Sequence, residues 1–389
     1  MNIHKQDVHS VFSKLFMAKG EYYLALTVMS AFPFDRPGVL LDESELWGAA
    51  GSCLSPRDVL DLFMPKQKAE ILAAGKFFSP GGRPVRAGRV RMSVGSMAKT
   101  LQVFGDRRWI KKAGLVSGIS DPQPIGELPL VYENAFGGPG YTGNPVGKGI
   151  ETTGVEGTIP LPNVESPDKL LCFPSDRPEP AGFGPLGLDW QQRAGKLGTY
   201  DRKWLETRWP WFPEDMDWTY FNAAPEDQQI SGYFRGDEPV LIENMHPRRP
   251  TIRTSLPGLR MRCFIRQAKD GAEVFEELGT RLDTVWLFPE YETGVVIWRG
   301  TLEVRDDEAE DVRAVFVAHE ALTEDKKPLE YYRDTFFARI PEEEALEEPE
   351  RVMPAPEEEA TGTTEPVEPP AAKPALDPET DALIKELED

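Results

Sequence analysis

Proline and glycine interrupt this chain throughout, with 36 and 34 copies among its 389 residues. Proline breaks a helix interior because it lacks a backbone donor, and glycine favours turns because it tolerates positive φ. Such frequent interruption argues against a helical bundle and favours short elements joined by many turns. Hydrophobic residues still make up 40% of the chain, which is enough for a sizeable folded core.

Two groups of apolar and aromatic segments have the length and composition of β-strands. The segment RVRMSV (89–94) alternates charged and apolar residues, which is typical of a strand with one solvated face. The first group comprises residues 22–32, 69–79, 89–97 and 99–109, and the second comprises 239–245, 260–267, 283–289, 294–304 and 311–320. Because the turns within each group are short, the sequence predicts antiparallel sheets. Residues 328–340 predict a helix that closes the domain, with Pro328 at its first position.

The segment between the two strand groups, residues 122–238, is rich in proline, glycine and aromatic residues. Disordered segments lack aromatic residues, whereas this one contains Trp190, Trp204, Trp209, Trp211, Phe212, Trp218 and Phe221. We interpret it as long ordered loops that pack over the sheet, and loops of this length are often functional. The predicted fold class is therefore mainly β (α+β), with antiparallel sheets and few helices in one large domain, 1–341. A division of that domain into two β-rich parts, 20–121 and 239–341, bridged by 122–238, stays open.

Acidic residues are concentrated at the C-terminal end of the chain. Residues 342–389 contain 17 acidic and 3 basic side chains, whereas the formal net charge of the whole chain is −21. Residues 342–376 are acidic and proline-rich, which predicts a disordered linker. Residues 377–389 predict either a short amphipathic helix that forms only against a partner or a solvated tail. The apolar face of that helix consists of Leu383, Ile384 and Leu387.

The composition argues against several classes of partner and site. An acidic chain repels nucleic acid and anionic lipid, so neither is an expected partner. No stretch approaches the ~20 apolar residues that a membrane helix needs, and the N-terminal residues do not resemble a signal peptide. The cysteines at positions 53, 172 and 263 are too scattered for a disulfide framework or a metal cluster. We therefore expect a cytoplasmic protein without membrane insertion, cofactor or metal.

Motifs of known catalytic chemistry are missing from the sequence. HExxH, CxxC and GxSxG are absent. The glycine-rich segment GFGPLG (182–187) most simply supplies positive φ or close backbone approach, and GNPVGKG (143–149) lacks the strand–loop–helix context that a phosphate-binding loop requires. SMAK (96–99) matches the SxxK pattern but lies between two predicted strands, so we interpret the match as chance. The carboxylates near Asp215 and Asp227 leave open a hydrolase of unrecognised type, although such clusters more often form turns and caps. The sequence therefore predicts a protein that is not an enzyme, with that hydrolase as the alternative.

Several motifs, taken in their order along the chain, resemble one family of proteins. They are VFGDRRW (103–109), LPLVYENAFGG (128–138), NPVGKG (144–149), LPNVE (161–165), AGFGPLGLDWQQRAGKLGTYD (181–201), residues 212–228 and GDEPV (236–240). In this order they resemble the domain-of-unknown-function 2169 (DUF2169) family over residues 20–340. The signature residues that carry the resemblance are Gly105, Asp106, Arg107, Trp109, Tyr132, Glu133, Phe136, Gly137, Gly138, Asn144, Pro145, Asn163, Glu165, Gly182, Phe183, Gly184, Pro185, Gly198, Thr199, Tyr200, Asp201, Ala224, Pro225, Asp227 and Gln228.

The resemblance implies a role in bacterial type VI secretion. Members of the family are identified as accessory proteins, similar to adaptors encoded beside toxin effectors that carry a PAAR spike-tip domain. Such an adaptor stabilises the effector in the cytoplasm and helps load it onto the VgrG spike before secretion. The resemblance implies no enzymatic activity. A structural component of the secretion particle is a further alternative.

The aromatic residues of the middle segment are the main candidates for binding the effector. Large rigid aromatic side chains dominate binding hot spots, although most aromatic residues of a protein are buried. We expect some of the following to be exposed and to contact the partner: Trp204, Trp209, Trp211, Trp218 and Phe221. The apolar face of the C-terminal helix is the second candidate.

Overall fold

The computed structural model describes residues 1–50, 63–112, 115–150, 159–269, 271–306 and 308–337. These residues belong to one compact unit that spans Met1–Ala338. The predicted acidic linker, 342–376, lies outside the described residues, as does the predicted helix with Leu383, Ile384 and Leu387.

Short strands dominate the described part of the chain. The strands are β1 (Asn2–His4), β2 (Ser10–Ala18), β3 (Glu21–Pro33), β4 (Ala69–Ala73), β5 (Lys76–Phe78), β6 (Ala87–Val94), β7 (Met97–Phe104), β8 (Trp109–Lys112), β9 (Leu115–Ile119), β10 (Glu127–Pro129), β11 (Phe136–Gly137), β12 (Lys148–Gly149), β13 (Val164–Glu165), β14 (Gln229–Ile230), β15 (Pro239–Glu243), β16 (Thr251–Ser255), β17 (Leu259–Lys269), β18 (Ala272–Leu278), β19 (Arg281–Phe288), β20 (Thr293–Val304) and β21 (Val312–Ala321). The helices are α1 (Glu43–Ala50), α2 (Gln191–Ala194), α3 (Arg202–Thr207) and α4 (Leu329–Phe337). Single 3₁₀ turns lie at Pro80–Gly82, Tyr132–Asn134, Trp218–Phe221, Glu226–Gln228 and Pro289–Tyr291.

Three larger sheets organise these strands. The six-stranded sheet has the order β14-β4-β19-β20-β3-β2, the five-stranded sheet β13-β7-β6-β15-β16, and the four-stranded sheet β1-β21-β17-β18. The strand pairs in the three sheets are antiparallel except for β4 with β19 and β1 with β21, which are parallel. The predicted fold class, mainly β with antiparallel sheets and few helices, is confirmed.

The six-stranded and five-stranded sheets both combine strands from the two predicted strand groups. In the six-stranded sheet, β3 from the first group pairs with β20 from the second along the full length of β20. In the five-stranded sheet, residues 91–94 of β6 pair with residues 240–243 of β15. The six-stranded and five-stranded sheets therefore each contain strands from both 20–121 and 239–341. The four-stranded sheet takes β17, β18 and β21 from 239–341 and β1 from the first residues of the chain.

One apolar cluster joins the three larger sheets. Val28 of β3, Val90 of β6 and Ile265 of β17 are all fully buried in it. Strand β6 has the alternation that the sequence predicted, since Val90 points into the cluster while Arg89 and Arg91 face solvent. Burial of such alternating apolar side chains is the main stabilising contribution in a sheet protein.

The opposite face of the six-stranded sheet is buried beneath the middle segment. Met29 and Trp286 on this face pack against Ala223. Near the edge of the sheet, Phe16 packs against Phe221. The described part of the middle segment therefore includes ordered loops that cover this sheet face, as its aromatic composition predicted.

The strand prediction differs from the structure in several places. Residues 69–79 form two strands, β4 and β5, and not one, because the chain leaves the six-stranded sheet at residues 74–75 and pairs next with β10. The edge strands β2 and β18 are among the strands that the sequence did not predict. Both have partly exposed side chains on either face, so neither has the clear apolar alternation of a central strand.

The predicted closing helix is present as α4. Its residues Tyr332 and Phe336 are buried, and their rings lie 4.6 Å and 6.1 Å from the ring of Phe264 in β17. The hydroxyl of Tyr332 donates a hydrogen bond of 2.7 Å to the buried carboxylate of Glu320 in β21. The helix is thus fixed to the four-stranded sheet by ring packing and by one buried polar contact.

The buried His9 and the half-buried His319 form a hydrogen-bonded pair between the N-terminal segment and β21. Nε2 of His9 lies 3.0 Å from Nδ1 of His319, and Nδ1 of His9 lies 2.7 Å from Oγ of Ser30. Burial, reinforced by the neighbouring His319, lowers the pKa of His9 to about 3. Burial also lowers the pKa of His319. The folded state therefore favours two neutral imidazoles.

We expect acid to destabilise the fold through His9. Its pKa is about 3 in the folded state against 6.5 in the absence of structure, so its stabilising contribution is complete above pH 6.5 and is lost as the pH falls toward 3. The loss is at most ~1.4 kcal/mol per pH unit for this group. Urea unfolding at several pH values between 6.5 and 3 measures this loss of stability. His9→Gln cannot ionise and should lose stability less steeply with acid, and parallel profiles for the two proteins would contradict the assignment.

Candidate protein-binding surface

Buried polar contacts between signature residues hold the long loops in place. Arg107 and Glu165 form a buried ion pair, and the guanidinium lies 3.6 Å from the ring centroid of Phe104. Arg107 also donates to the carbonyl of Pro162 at 3.2 Å, while Glu165 accepts the backbone N–H of Leu171 at 2.8 Å. Burial raises the pKa of Glu165, and the charge of Arg107 opposes that shift. These contacts fasten a loop to the end of β7.

Two signature asparagines have the same role. Nδ2 of Asn144 donates to two backbone carbonyls at 2.8 and 3.0 Å. Nδ2 of Asn163 donates to a backbone carbonyl and to Oδ1 of Asp106, each at 3.0 Å. The backbone at Gly137 approaches Asn144 so closely that a Cβ would lie 2.2 Å from the Asn144 carbonyl oxygen. Only glycine fits there, which explains its place in the signature.

Gln228 and Asp227 connect a further loop to the sheets. Nε2 of Gln228 donates to the carbonyls of Ile71 and Phe183 at 2.7 and 3.1 Å. Nζ of Lys99 donates to Asp227 at 2.8 Å and to Oε1 of Gln228 at 2.7 Å. Burial lowers the pKa of Lys99, and the carboxylate of Asp227 opposes that shift. The signature residues of these three groups therefore shape and fix the loops.

Three aspartates define the loop that contains most of the candidate binding residues. Oδ1 of Asp201 accepts the backbone N–H of Trp204 at 2.8 Å and begins α3. Asp217 accepts a backbone N–H at 2.9 Å and begins the next 3₁₀ turn. Asp215 accepts both the backbone N–H and the hydroxyl of Thr199, at 3.0 and 2.7 Å. The bonds from Thr199 lower the pKa of Asp215.

Four side chains between residues 200 and 209 of this loop, which we call the aromatic patch, are Tyr200, Trp204, Leu205 and Trp209. Trp209 is 65% exposed, Leu205 59% and Tyr200 48%. Trp204 is half-buried, with its ring centroid 4.6 Å from that of Tyr200 and 5.7 Å from that of Trp209. Its indole N–H donates to the carbonyl of Trp211 at 2.8 Å. Trp204 is thus anchored, while the other three side chains face solvent.

Aromatic residues beneath the patch connect it to the six-stranded sheet. The ring of Trp211 lies 5.5 Å from that of Tyr22 in β3, and the ring of Trp218 lies 5.2 Å from that of Phe16 in β2. Trp211 and Trp218 are half-buried, as Trp204 is. Phe221 is fully buried in the core. The prediction that Phe221 contacts a partner is therefore wrong, because its ring packs inside the protein.

Two members of the patch were not among the predicted binding residues. Leu205 was not singled out at all, and Tyr200 was assigned only to the signature. The sequence feature that could have pointed to both residues is Asp201. It caps α3, so the first turn of that helix lies beside Tyr200. The helix has only six residues, which is too short for hydrophobic periodicity to show which side is exposed.

Gly198 supports the patch through an unusual backbone conformation. Its φ is +79°, and a Cβ would lie 2.7 Å from Oδ1 of Asp215. We expect Gly198→Ala to disrupt the contact between Asp215 and Thr199 at a cost of about 1–3 kcal/mol, so that hydrogen exchange at residues 198–210 becomes faster. Gly195→Ala is the matched control, since Gly195 has a φ of −63° and the nearest atom to the new Cβ, the carbonyl oxygen of Gln191, would lie 3.6 Å away. Equal exchange in the two variants would contradict this role.

The carboxylates of the hydrolase alternative have structural partners. Asp215 binds Thr199, and Asp227 binds Lys99. A lowered pKa keeps Asp215 ionised at neutral pH, which does not suit a general acid. Lys99 of the SMAK segment lies on β7, so Ser96 and Lys99 do not share a helix. Among the residues that the structure describes, no cluster of three or more His, Cys, Asp or Glu side chains is suited to a metal ion.

Within the described ranges, no helix has both the length and the apolar composition needed to cross a membrane.

Comparison with known proteins gives one family match. The model of a family described as an uncharacterized protein conserved in bacteria (DUF2169) matches residues 19–299. The matched range includes all the signature residues and the whole aromatic patch. Neither the curated proteins nor the solved structures include a match to this chain.

Proposed function

We propose, on the premise that the chain belongs to the DUF2169 family of bacterial proteins, that it is a binding adaptor of type VI secretion. The adaptor binds an effector with a PAAR domain in the cytoplasm and helps load that effector onto the VgrG spike. Binding, and not catalysis, is its activity.

The aromatic patch is the observation that carries this proposal. Trp209 and Leu205 each expose more than half of their surface, and apolar surface gains free energy when a partner removes it from water. Tryptophan and tyrosine are also the residues that most often dominate binding energy. The patch therefore has the composition of a binding hot spot.

The rigidity of the patch supports the same proposal. Trp204 is fixed by its bond to the carbonyl of Trp211, and the loop around it is fixed by Asp201 and Asp215. A surface that is already ordered loses little conformational entropy when a partner binds. The buried signature contacts favour binding for the same reason, because they hold the surrounding loops in one arrangement.

Co-expression with the effector tests the proposal. The PAAR-containing effector is produced alone, with this protein, and with the variant Trp209→Ala. The proposal predicts more soluble effector in the presence of the protein, elution of the two as one complex, and a smaller gain with the variant. Equal effector solubility in all three cultures, with separate elution, would refute the proposal.

A further inference from the structure

Two stretches of this acidic chain contain many basic residues and no acidic ones. Residues 82–105 have five arginines and lysines without a single Asp or Glu, and residues 244–269 have seven without one. The net charge of the whole chain is −21, so these stretches are strongly atypical of it. The fold brings them together, since β6 from the first and β16 from the second flank β15 in the five-stranded sheet.

The outer face of the five-stranded sheet carries three exposed arginines, which we call the arginine face: Arg89, Arg91 and Arg253. Arg89 and Arg91 lie two residues apart on β6, so they point to the same side. Arg253 of β16 lies opposite Leu241 of β15, and Leu241 lies opposite Ser93 of β6, which places Arg253 on that side too. The one carboxylate of β15 on this side is Glu243, opposite Arg91.

The basic residues of the two stretches divide into paired and unpaired groups. Several form ion pairs with carboxylates elsewhere in the chain. Arg249 lies 2.7 Å from Glu292, and Arg266 lies 2.9 Å from Glu273. The arginine face differs, because none of its three guanidinium groups forms an ion pair with a residue of the described ranges. Arg89 donates only to the neutral side chain of Gln102, at 3.0 Å.

We propose that the arginine face binds an extended acidic segment of a partner protein. Side chains two apart on a strand are ~6.7 Å apart, so carboxylates at alternate positions of an extended peptide match the spacing of Arg89 and Arg91. Arginine suits this role because its planar guanidinium binds a carboxylate through two parallel hydrogen bonds. This surface is separate from the aromatic patch and does not depend on the proposed function.

The test measures binding of a fluorescent peptide of alternating Glu and Ser, about twenty residues long, to the full chain at low salt, about 0.05 M. The triple variant Arg89→Glu/Arg91→Glu/Arg253→Glu should weaken binding by about tenfold or more. The matched control, Lys14→Glu/Lys269→Glu/Arg313→Glu, makes the same charge change at exposed strand positions outside the face. It should weaken binding by less than about twofold.

Several outcomes would overturn the proposal. Equal weakening in the two triple variants would show that net charge alone attracts the peptide. If single-stranded dT20 binds as tightly as the peptide, the ligand of the arginine face is nucleic acid and not a protein segment. If the peptide binds only after residues 342–389 are deleted, the arginine face binds the acidic end of this same chain and not a partner. A matching Gln-Ser peptide should not bind, and equal affinity for it would exclude recognition of carboxylates.

Discussion

Replacing Trp209 and Leu205 together with alanine will reduce the amount of effector that co-purifies with the protein by at least about tenfold. The two side chains are the most exposed members of the aromatic patch, at 65% and 59%. Truncation of one aromatic hot-spot residue typically costs about 2 kcal/mol or more of binding free energy, and ~1.4 kcal/mol corresponds to a factor of ten in affinity. The free energy of unfolding should hardly change, because neither side chain belongs to the core.

Phe173 provides the matched control for this experiment. It is 66% exposed, so Phe173→Ala removes a similarly exposed aromatic ring from a different loop. The control should leave effector recovery unchanged. If Phe173→Ala lowers recovery as much as the double variant does, the effect follows from general surface hydrophobicity and the aromatic patch has no special role.

Replacing Lys66 with methionine will lower the free energy of unfolding by about 3–5 kcal/mol. Nζ of Lys66 donates to Oε1 of Glu70 and to the carbonyl of Phe221, and the Lys66 and Glu70 side chains are 1% and 0% exposed. Methionine fills similar space but leaves a buried carboxylate without its cation and a buried carbonyl without its donor. The damage should extend to the middle segment, since Oε2 of Glu70 also accepts the backbone N–H of Ala224 at 3.1 Å.

A surface ion pair with the same sequence spacing is the control for Lys66. Arg202 and Glu206 are also four residues apart, but their side chains are 89% and 57% exposed. Arg202→Met should change the urea midpoint by an amount equivalent to less than about 0.5 kcal/mol. The double variant Lys66→Met/Glu70→Gln should recover part of the lost stability, because it removes the unpaired charge. A Lys66→Met midpoint as close to wild type as that of Arg202→Met would contradict the importance of the buried pair.

The strands of the core were predictable because their side chains obey local rules. The segment around Val90 alternates basic and apolar residues, and the structure buries one set and exposes the other. Sheet partners were not predictable, since the pairing of β3 with β20 joins residues far apart in sequence. Local patterns do not show which strands become neighbours, so the sequence left the division into two β-rich parts open.

The aromatic patch was only partly predictable, for a related reason. The abundance of tryptophan indicated ordered loops, and the structure has them. The same composition did not separate the exposed Trp209 from the buried Phe221, because loop residues have no periodicity that distinguishes inside from outside. Exposure there depends on tertiary contacts, such as the packing of Trp218 against Phe16.

The most direct test of the adaptor proposal is quantitative mass spectrometry of the proteins that co-purify with the tagged protein from its native cells under mild conditions. The proposal predicts recovery of a PAAR-containing effector, with or without VgrG, and loss of that effector with Trp209→Ala/Leu205→Ala but not with Phe173→Ala. Recovery of the protein alone while the effector is expressed would contradict the proposal. Stable, stoichiometric presence in assembled spikes would instead identify a structural component of the secretion particle.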